Sequence, residues 1–337
     1  MNGRVQSPAP TVGVSLRAHP ERAGTEPSTV NGRVRSPAPT ARSPAPTVEA
    51  ASSRLSSARV AIVGLGLMGG SLAGALRGHC RAVIGVARRA ETIEAALAHG
   101  LVDQGTTDLA HGVARADIVI LATPVRVILR QVAEIGPLLS DGCLLMDLGS
   151  TKTDVVAAMA DLPPHVQPLG GHPMCGKETS GIGEADPALY RGRTFILCPL
   201  ERTSQEALAL GKAVAQAAGA NPLVIDARRQ DFLVATVSHL PYLLACALVR
   251  TADATTSADP MAWKIVAGGF RDTSRVAGSD VTMMVDILLT NREEVVKALD
   301  VCIAQLHDLA CLLGDGDEDR LHAALNIIRQ KRREMFP

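Results

Sequence analysis

A glycine run in the first quarter of the chain has a spacing suited to nucleotide-dependent redox chemistry. Gly64-Leu65-Gly66-Leu67-Met68-Gly69 is a GxGxxG pattern that follows the apolar segment RVAIV and precedes a helical stretch. In such a run the first glycine permits a tight turn, the second lets the backbone approach a pyrophosphate, and the third allows close helix packing. The pattern predicts a dinucleotide site made by Gly64, Gly66, Leu67, Met68 and Gly69. A glycine-rich turn without a ligand is the alternative.

Two adjacent arginines occupy the position that distinguishes NAD from NADP in chains of this type. About twenty residues beyond the glycine run, NAD-binding chains carry an acidic residue that hydrogen-bonds the ribose 2′-hydroxyl. Here that place holds Arg88 and Arg89, within GVARR. Guanidinium groups bind phosphate oxygens in pairs, whereas a carboxylate would repel a 2′-phosphate. The pair favours NADP, with NAD still possible, and the alternative is a pair of solvated loop residues.

Polar residues also follow two later apolar runs. Thr123 and Pro124 end DIVILATP, and Ser150 ends CLLMDLGS. Because the carboxyl ends of parallel strands meet at the ligand crevice, we expect Thr123 and Pro124 beside the cofactor and Ser150 near the reacting end. Alternatively, Ser150 or Thr151 is the N-cap of the next helix, with Asp154 in a capping interaction.

The elements that must position these residues alternate along the chain. Apolar runs at 82–87, 117–124 and 143–150 are separated by helical segments, which is the pattern of βαβ units. Runs at 194–199 and 222–226 are expected to extend the same sheet. The fold class predicted is therefore an α/β Rossmann-type parallel sheet domain, placed at 58–226 and followed by a helical domain.

The chain changes character on either side of this domain. From residue 227 to 337 apolar residues recur at helical spacing, which predicts an all-α domain. Helices at 281–289 and 295–313 are apolar on most faces, so we expect a homodimer formed through this domain. Residues 1–57 repeat NGRVQSPAPT, NGRVRSPAPT and ARSPAPT with few large apolar residues, which predicts a disordered tail.

Composition narrows the partners to a small-molecule substrate. The chain has 34 basic and 34 acidic residues, so no bulk field attracts nucleic acid or an anionic membrane. No uninterrupted apolar run approaches the roughly 18 residues of a membrane span. The seven cysteines are scattered without a CxxC pair, which predicts reduced thiols in a cytoplasmic protein and no metal site.

A second motif is much more specific than the glycine run. Residues 170–181 read GGHPMCGKETSG and look like the GGHPMxGxExSG motif of prephenate and arogenate dehydrogenases. The similarity continues through ADPALYRG, SHLP and GGFRDTSR and covers the chain from Arg59 onward. The chain resembles this family, whose members oxidatively decarboxylate prephenate to 4-hydroxyphenylpyruvate or arogenate to tyrosine.

The resemblance implies the catalytic residues. The reaction needs a group that accepts the hydroxyl proton as the hydride leaves, and a neutral imidazole with a pKa near 6.5 is suited to this. By its place in the motif His172 is that group. Ser150 matches the serine of the family's DxGSxK motif and would orient His172 and contact the nicotinamide amide.

The substrate carries two carboxylates, so cations are expected on the opposite wall. Arg271 and Arg275 are four residues apart, which places both on one helix face, and an arginine fork matches carboxylate geometry. We expect Arg275 to bind the substrate carboxylate. The alternative is a pair of surface arginines balanced by Asp272 and Asp280.

Further residues of the matched motifs are expected around the substrate. Lys177 and Glu178 would line its side-chain end, and His239 would support the site. Many prephenate-using members carry SHLPH, whereas this chain has Tyr242 at the last position. Together with GVARR this departure slightly favours arogenate, with both substrates left open.

Two other functions stay open. A β-hydroxyacid dehydrogenase or an imine reductase-like NADP enzyme shares the GLGxMG opening and relies on a helix lysine, for which Lys264 is the nearest candidate. The GGHPMCGKE segment has no counterpart there. A non-catalytic NADP-binding sensor would not need His172, Ser150 and Arg275.

Overall fold

The computed structural model describes residues 47–336, which begin with a helix inside the segment expected to be a disordered tail. Helix α1 spans Val48–Ser57, starts at a Thr47 cap and packs against α7 (Gln205–Ala217). The expectation of disorder was wrong for these ten residues. Their apolar Ala51 and Leu55 lie one helical turn apart and are buried, which composition averaged over the repeats conceals. The rest of the expected tail lies outside the described residues.

An eight-stranded sheet organises the first part of the chain, in the order β3-β2-β1-β4-β5-β6-β7-β8. Neighbouring strands are parallel except β6 and β7, which pair antiparallel. The strands are β1 Arg59–Val63, β2 Ala82–Val86, β3 Gln104–Thr106, β4 Ile118–Leu121, β5 Leu144–Asp147, β6 Gln167–Pro173, β7 Thr194–Pro199 and β8 Asn221–Val224. The two late runs do extend the sheet. Strands β3 and β6 were not predicted.

Helices cover both faces of this sheet. Side chains of β1 alternate between two buried clusters, one shared with α1, α2, α3 and α7 and the other with α4, α5 and α6. The helices that follow α1 are α2 Leu67–Leu76, α3 Ala90–Ala98, α4 Leu109–Val113, α5 Val125–Ile135, α6 Thr153–Ala160 and α7. The Rossmann-type arrangement predicted from strand and helix alternation is confirmed.

The remaining described chain is helical, as predicted. Its helices are α8 Ala227–Val234, α9 Leu240–Thr256, α10 Gly268–Ser274, α11 Val281–Thr290, α12 Arg292–Asp315 and α13 Glu318–Met335. A π turn at Ala235–His239 joins α8 to α9. Contacts of α11 with α5, and of α8 with α6, attach this part to the sheet domain.

One helix of the described residues is long and apolar enough to cross a membrane by length and composition. It is Ala227–Thr256, with a mean hydropathy of 1.9 over an 18-residue window of which 22% is buried. The sequence expectation missed it because only uninterrupted apolar runs were considered, and Ser238 and His239 interrupt this one. Gln230, Asp231 and His239 on this helix are buried against polar partners, so its first half packs on protein.

Candidate active site

The turn after β1 leaves room for a ligand but not for side chains. Gly64 has φ +101°, and a Cβ there would lie 2.8 Å from the carbonyl oxygen of Ala122. A Cβ at Gly69 would overlap the Gly64 carbonyl oxygen, whereas one at Gly66 would meet nothing within 4 Å. The open approach at Gly66 fits a pyrophosphate against the backbone at the N-terminus of α2.

A cavity of about 870 Å³ begins at this turn. Of the residues predicted to bind the cofactor, those that line it are Gly64, Gly66, Arg88, Arg89, Thr123 and Pro124. Leu67, Met68 and Gly69 form the first turn of α2 instead, with Leu67 buried and Met68 packed against the sheet core. Those three residues therefore pack the start of α2 and do not line the cavity.

Two arginines that the sequence reading missed also line the cavity. Arg126 and Arg130 lie one turn apart on α5 and face the same space as Arg88 and Arg89. Their spacing of four residues on a helix with a separate buried face was the signal available. Four arginines thus line the cavity together with the acidic Glu134 and Asp286, and an excess of cations is expected of a site for a phosphorylated ligand.

The helical part closes the cavity from the other side. Thr282 and Asp286 of α11 line it, and Nη1 of Arg126 lies 3.6 Å from Oδ1 of the buried Asp286. The crevice therefore lies between the sheet domain and the helices, which is where ligands bind in open α/β folds.

His172 lies near the end of β6, the strand next to β5 in the sheet. Because β5 and β6 are parallel, His172 reaches the same edge of the sheet as Gly64, Thr123 and Ser150. Its side chain is 7% exposed, and Nδ1 lies 3.0 Å from Nε2 of Gln230. Burial, with smaller effects from Lys152 and His239, lowers the pKa of His172 from 6.5 to about 3. The imidazole is neutral at any physiological pH.

Ser150 follows β5 and is joined to His172 through one side chain. Nε2 of Gln230, besides facing His172, donates to the carbonyl oxygen of Ser150 at 3.2 Å. The capping alternative for Ser150 and Thr151 was wrong among the described residues: Lys152 is the N-cap position of α6, and Asp231 of α8 receives its N–H. Thr151 instead hydrogen-bonds Thr290 of α11.

A buried ion pair lies beneath Ser150. The ammonium of Lys152 contacts the carboxylate of Asp147, and both side chains are inaccessible to solvent. Asp147 also accepts the N–H groups of Gly149 and Gly171 at 2.8 and 3.0 Å. A Cβ at Gly171 would lie 2.4 Å from the Asp147 carbonyl oxygen, so glycine is required where β6 meets β5. DLGSTK and GGHP are thus held in register.

His239 occupies the π turn and is 1% exposed. Its Nδ1 lies 3.2 Å from Nδ2 of Asn291, which also donates to the Asp231 carbonyl oxygen at 2.8 Å. Burial lowers the pKa of His239 from 6.5 to about 4. Single π turns often occur at functional sites, and this one brings a second neutral imidazole close to the first.

The charged residues expected around the substrate are exposed to solvent. Arg275 follows α10 and forms an ion pair with Glu178, whereas Lys177 lies 3.7 Å from Asp186. Arg271 is exposed and forms no ion pair within residues 47–336. Tyr242 is half-buried on α9, where burial and a hydrogen bond with Cys246 raise its pKa. Arg275 therefore contacts the motif that carries His172, and Arg271 does not.

Sequence reading missed the side chains that join these residues, namely Gln230, Asp231 and Asn291. Gln230 and Asp231 stand next to each other ahead of SHLP, where polar residues inside an apolar helix were the only signal. Within the described residues no three His, Cys, Asp or Glu side chains cluster in a way that could hold a metal ion.

Comparison with known proteins covers both parts of the chain. Residues 72–224 match the nucleotide-binding domain of prephenate dehydrogenase, and residues 226–327 match the prephenate dehydrogenase dimerization domain. The chain is 32% identical over 268 residues to prephenate dehydrogenase of Bacillus subtilis, covering 78% of this chain and 72% of that protein.

Solved structures agree. One is prephenate dehydrogenase from Aquifex aeolicus in complex with hydroxyphenyl propionate and NAD+, with 33% identity and a TM-score of 0.76 over 82% of this chain and 98% of that one. Another is Synechocystis arogenate dehydrogenase, with 31% identity and a TM-score of 0.72 over 82% and 99%.

Proposed function

The chain belongs to the prephenate dehydrogenase family, and from that premise we propose that it oxidatively decarboxylates prephenate or arogenate with NADP as hydride acceptor. The observation that carries this proposal is His172: a neutral, buried imidazole at the same edge of the sheet as Gly64 and Thr123, which line the cavity, although His172 itself does not line it. Membership of the family makes the chain an NAD(P)-dependent dehydrogenase. What we propose beyond membership is that the substrate is prephenate or arogenate and that the preferred cofactor is NADP.

The preference for NADP rests on the cations at one end of the cavity. Arg88, Arg89, Arg126 and Arg130 all line it, and no acidic residue stands at the end of β2. Guanidinium groups would bind a 2′-phosphate through charge-assisted hydrogen bonds. Thr123 and Pro124 border the same cavity. These residues support NADP, with NAD as a second acceptor.

His172 would act as the proton acceptor for the ring hydroxyl. Bound NADP supplies the acceptor for the hydride from the carbon that bears this hydroxyl. Nε2 of His172, the ring nitrogen away from Gln230, would take the hydroxyl proton and return it to the ring oxygen once the carboxylate has left as CO2. The protein therefore releases no net proton. Ser150, held against Gln230 by its carbonyl oxygen, would place its hydroxyl between His172 and the nicotinamide.

The carboxylates of the substrate need cations at the entrance. Arg275 is exposed and paired with Glu178, and a substrate carboxylate would replace Glu178 as its partner. Glu178 and Lys177 follow His172 on the same loop and would then face the substrate side chain. Arg271 would contribute at longer range, and His239 would support the imidazole of His172.

Tyr242 supports arogenate as the favoured substrate. A phenol never carries a positive charge, so it can accept a hydrogen bond from the side-chain ammonium of arogenate without repelling it. An imidazole at this position could become protonated and would repel that ammonium. We propose that both substrates react and that arogenate reacts better.

An assay of the purified protein tests the proposal. Prephenate and arogenate are each supplied with NADP or NAD, reduced cofactor is followed, and the product is identified as 4-hydroxyphenylpyruvate or tyrosine. Turnover with arogenate and NADP above the other three combinations is expected. Absence of turnover with all four would overturn the proposed function and leave a sensor or another dehydrogenase.

The helical part supports a homodimer. Its apolar side chains are exposed on α8, α11, α12 and α13, among them Phe232, Val281, Val285, Leu289, Val301, Leu306, Leu313 and Ile327. Burying them between two copies of the matched dimerization domain would remove this surface from water. Sedimentation should show a dimer, and a monomer at micromolar concentration would contradict the proposal.

A further inference from the structure

A histidine that accepts a proton at Nε2 must carry its own proton on Nδ1. In the structure Nδ1 of His172 instead faces the amide nitrogen of Gln230 at 3.0 Å. The second hydrogen of the same amide is directed to the carbonyl oxygen of Ser150 at 3.2 Å. A donor at Nδ1 holds the neutral ring as the Nε2–H tautomer, which can donate a hydrogen bond but cannot act as a base.

The carbonyl oxygen of the Gln230 amide has no hydrogen-bond donor next to it among the described residues. Oε1 of Gln230 is buried and lacks a hydrogen-bond partner within the described residues, and the side chain is inaccessible to solvent. A buried acceptor without a donor has lost its hydrogen bonds to water without replacement, which is unfavourable. Rotation of the amide by half a turn exchanges Oε1 and Nε2 and would set Oε1 against Nδ1. That position suits a proton on Nδ1.

We propose that Gln230 is a positioning residue with two amide orientations, which selects between the two tautomers of His172. With Nε2 towards the ring, His172 is Nε2–H and cannot accept a proton. With Oε1 towards the ring, the proton lies on Nδ1 and the lone pair of Nε2 is free. The second orientation, but not the first, rests on the proposed function.

The proton balance of the reaction requires the second orientation. When Nε2 takes the hydroxyl proton, the ring becomes an imidazolium with protons on both nitrogens, and Nδ1–H needs an acceptor. Oε1 of Gln230 supplies it, at the loss of the hydrogen bond to the Ser150 carbonyl oxygen. The substrate hydroxyl, by donating to Nε2, favours this state over the one in the structure. When the proton returns to the ring oxygen, the amide is free to rotate back.

His239 offers an internal comparison. Nδ2 of Asn291 donates to its Nδ1 and to the Asp231 carbonyl oxygen, the same arrangement of amide, imidazole and backbone carbonyl. The same argument assigns the Nε2–H tautomer to His239, whose Nε2 is buried without a hydrogen-bond partner among the described residues. Asn291 lies on the start of α12 and does not contact His172, so changing it separates an effect on His239 from one on His172.

The charges around His172 are few, so a change at Gln230 should be visible in its titration. Lys152 faces it from the start of α6 and is neutralised by Asp147 of β5, while His239 faces it from the π turn. The carboxylate of Asp231 is occupied by the N–H groups of Lys152 and Thr153. In Gln230→Glu a carboxylate would accept from Nδ1–H, which favours both the Nδ1–H tautomer and the protonated ring.

The first test needs no turnover. The full chain is labelled with 15N-histidine, His172 is identified by its loss in His172→Asn, and the 15N shifts of its ring nitrogens are recorded with NADP bound. We expect protonated Nε2 and bare Nδ1 in the unchanged protein, the reverse in Gln230→Glu, and a mixture in Gln230→Met. Asn291→Leu should shift only His239. A protonated Nδ1 in the unchanged protein, or equal shifts in all Gln230 variants, would overturn the proposal.

The second test is the pH profile of kcat/KM. We expect the unchanged protein to lose no activity between pH 7 and 5 and Gln230→Glu to lose tenfold or more, because its His172 becomes protonated. Gln230→Met should lower kcat at least tenfold with little change in KM. Profiles that coincide would contradict the inference. If neither substrate reacts, the proposed function fails while the NMR result still decides the role of Gln230.

Discussion

The carboxylate of Asp231 accepts the backbone N–H of Lys152 at 2.7 Å, so a residue of helix α8 caps helix α6 across the boundary between the sheet and the helical part. Its second oxygen accepts the N–H of Thr153, also at 2.7 Å. A negative charge at the N-terminus of a helix is favourable, and both N–H groups would otherwise lack partners. The contact fixes α8, and with it Gln230, against the loop that carries Ser150.

Replacing this cap should destabilise the protein. Asp231→Ala removes the acceptor of the N–H groups of Lys152, which is buried, and of Thr153, which is exposed, and we expect the free energy of unfolding to fall by about 2–4 kcal/mol. Asp226→Ala is the matched control, because Asp226 caps α8 locally and is more exposed, so its loss should cost about 1 kcal/mol. Urea unfolding of both variants measures the difference. Equal losses would mean that Asp231 does not join the two parts.

His172→Asn should remove proton acceptance and leave the cofactor cavity intact. We expect kcat to fall by about 10²- to 10⁴-fold, with NADP affinity nearly unchanged. His111→Asn, an exposed histidine on α4, is the control and should retain activity. Steady-state kinetics and cofactor titration provide both readings. Full turnover in His172→Asn would refute the assigned role.

Arg275→Gln should raise KM. Loss of a charged hydrogen bond to the substrate carboxylate costs about 1.5–3 kcal/mol, which predicts a rise of about tenfold or more. Arg271→Gln removes the same charge one turn away, without an ion pair to Glu178, and should raise KM much less. Comparable effects of the two variants would place the carboxylate elsewhere.

Arg88→Asp should reverse the cofactor preference. A carboxylate repels a 2′-phosphate and can bind a 2′-hydroxyl, so the ratio of kcat/KM for NADP over NAD should fall about tenfold or more. Arg81→Asp, on the exposed turn before β2, is the control for the change in charge. An unaltered ratio in Arg88→Asp would show that Arg88 does not contact the 2′-phosphate.

Stability should decrease in acid because of the two buried imidazoles. The folded pKa values of His172 and His239 lie near 3 and 4, below 6.5, so the unfolded chain binds more protons between these limits. Stability attributable to each histidine is complete above pH 6.5 and is lost as the pH falls towards its folded pKa. Each should contribute a slope that approaches about 1.4 kcal/mol per pH unit near pH 5 and is smaller near pH 4 and pH 6.5.

Urea unfolding across that range measures the slope. His239→Asn should reduce it by about the contribution of one histidine, since asparagine does not titrate there. A slope equal to that of the unchanged protein would mean that folding does not lower the pKa of His239.

The sequence by itself determined those strands, helices and turns that depend on neighbouring residues in the chain. Apolar runs alternating with helices predicted the Rossmann-type domain, and Gly64 and Gly66 marked the turn because only glycine tolerates that backbone and that closeness. The GGHP motif identified His172 by resemblance. It did not reveal that Gln167–Pro173 is a strand, because glycine and proline are rare in strands and here serve the close approach of β5.

Only the tertiary structure decided what surrounds His172. Gln230 is 58 positions from His172 along the chain, and Asp231 is 79 from Lys152. The two members of each pair are nevertheless joined by a direct hydrogen bond. Local periodicity records which face of a helix is apolar and carries no information about which distant backbone or imidazole a buried polar side chain will meet. Those partners are fixed when the helices dock on the sheet, because burial then requires every amide and carboxylate to find one.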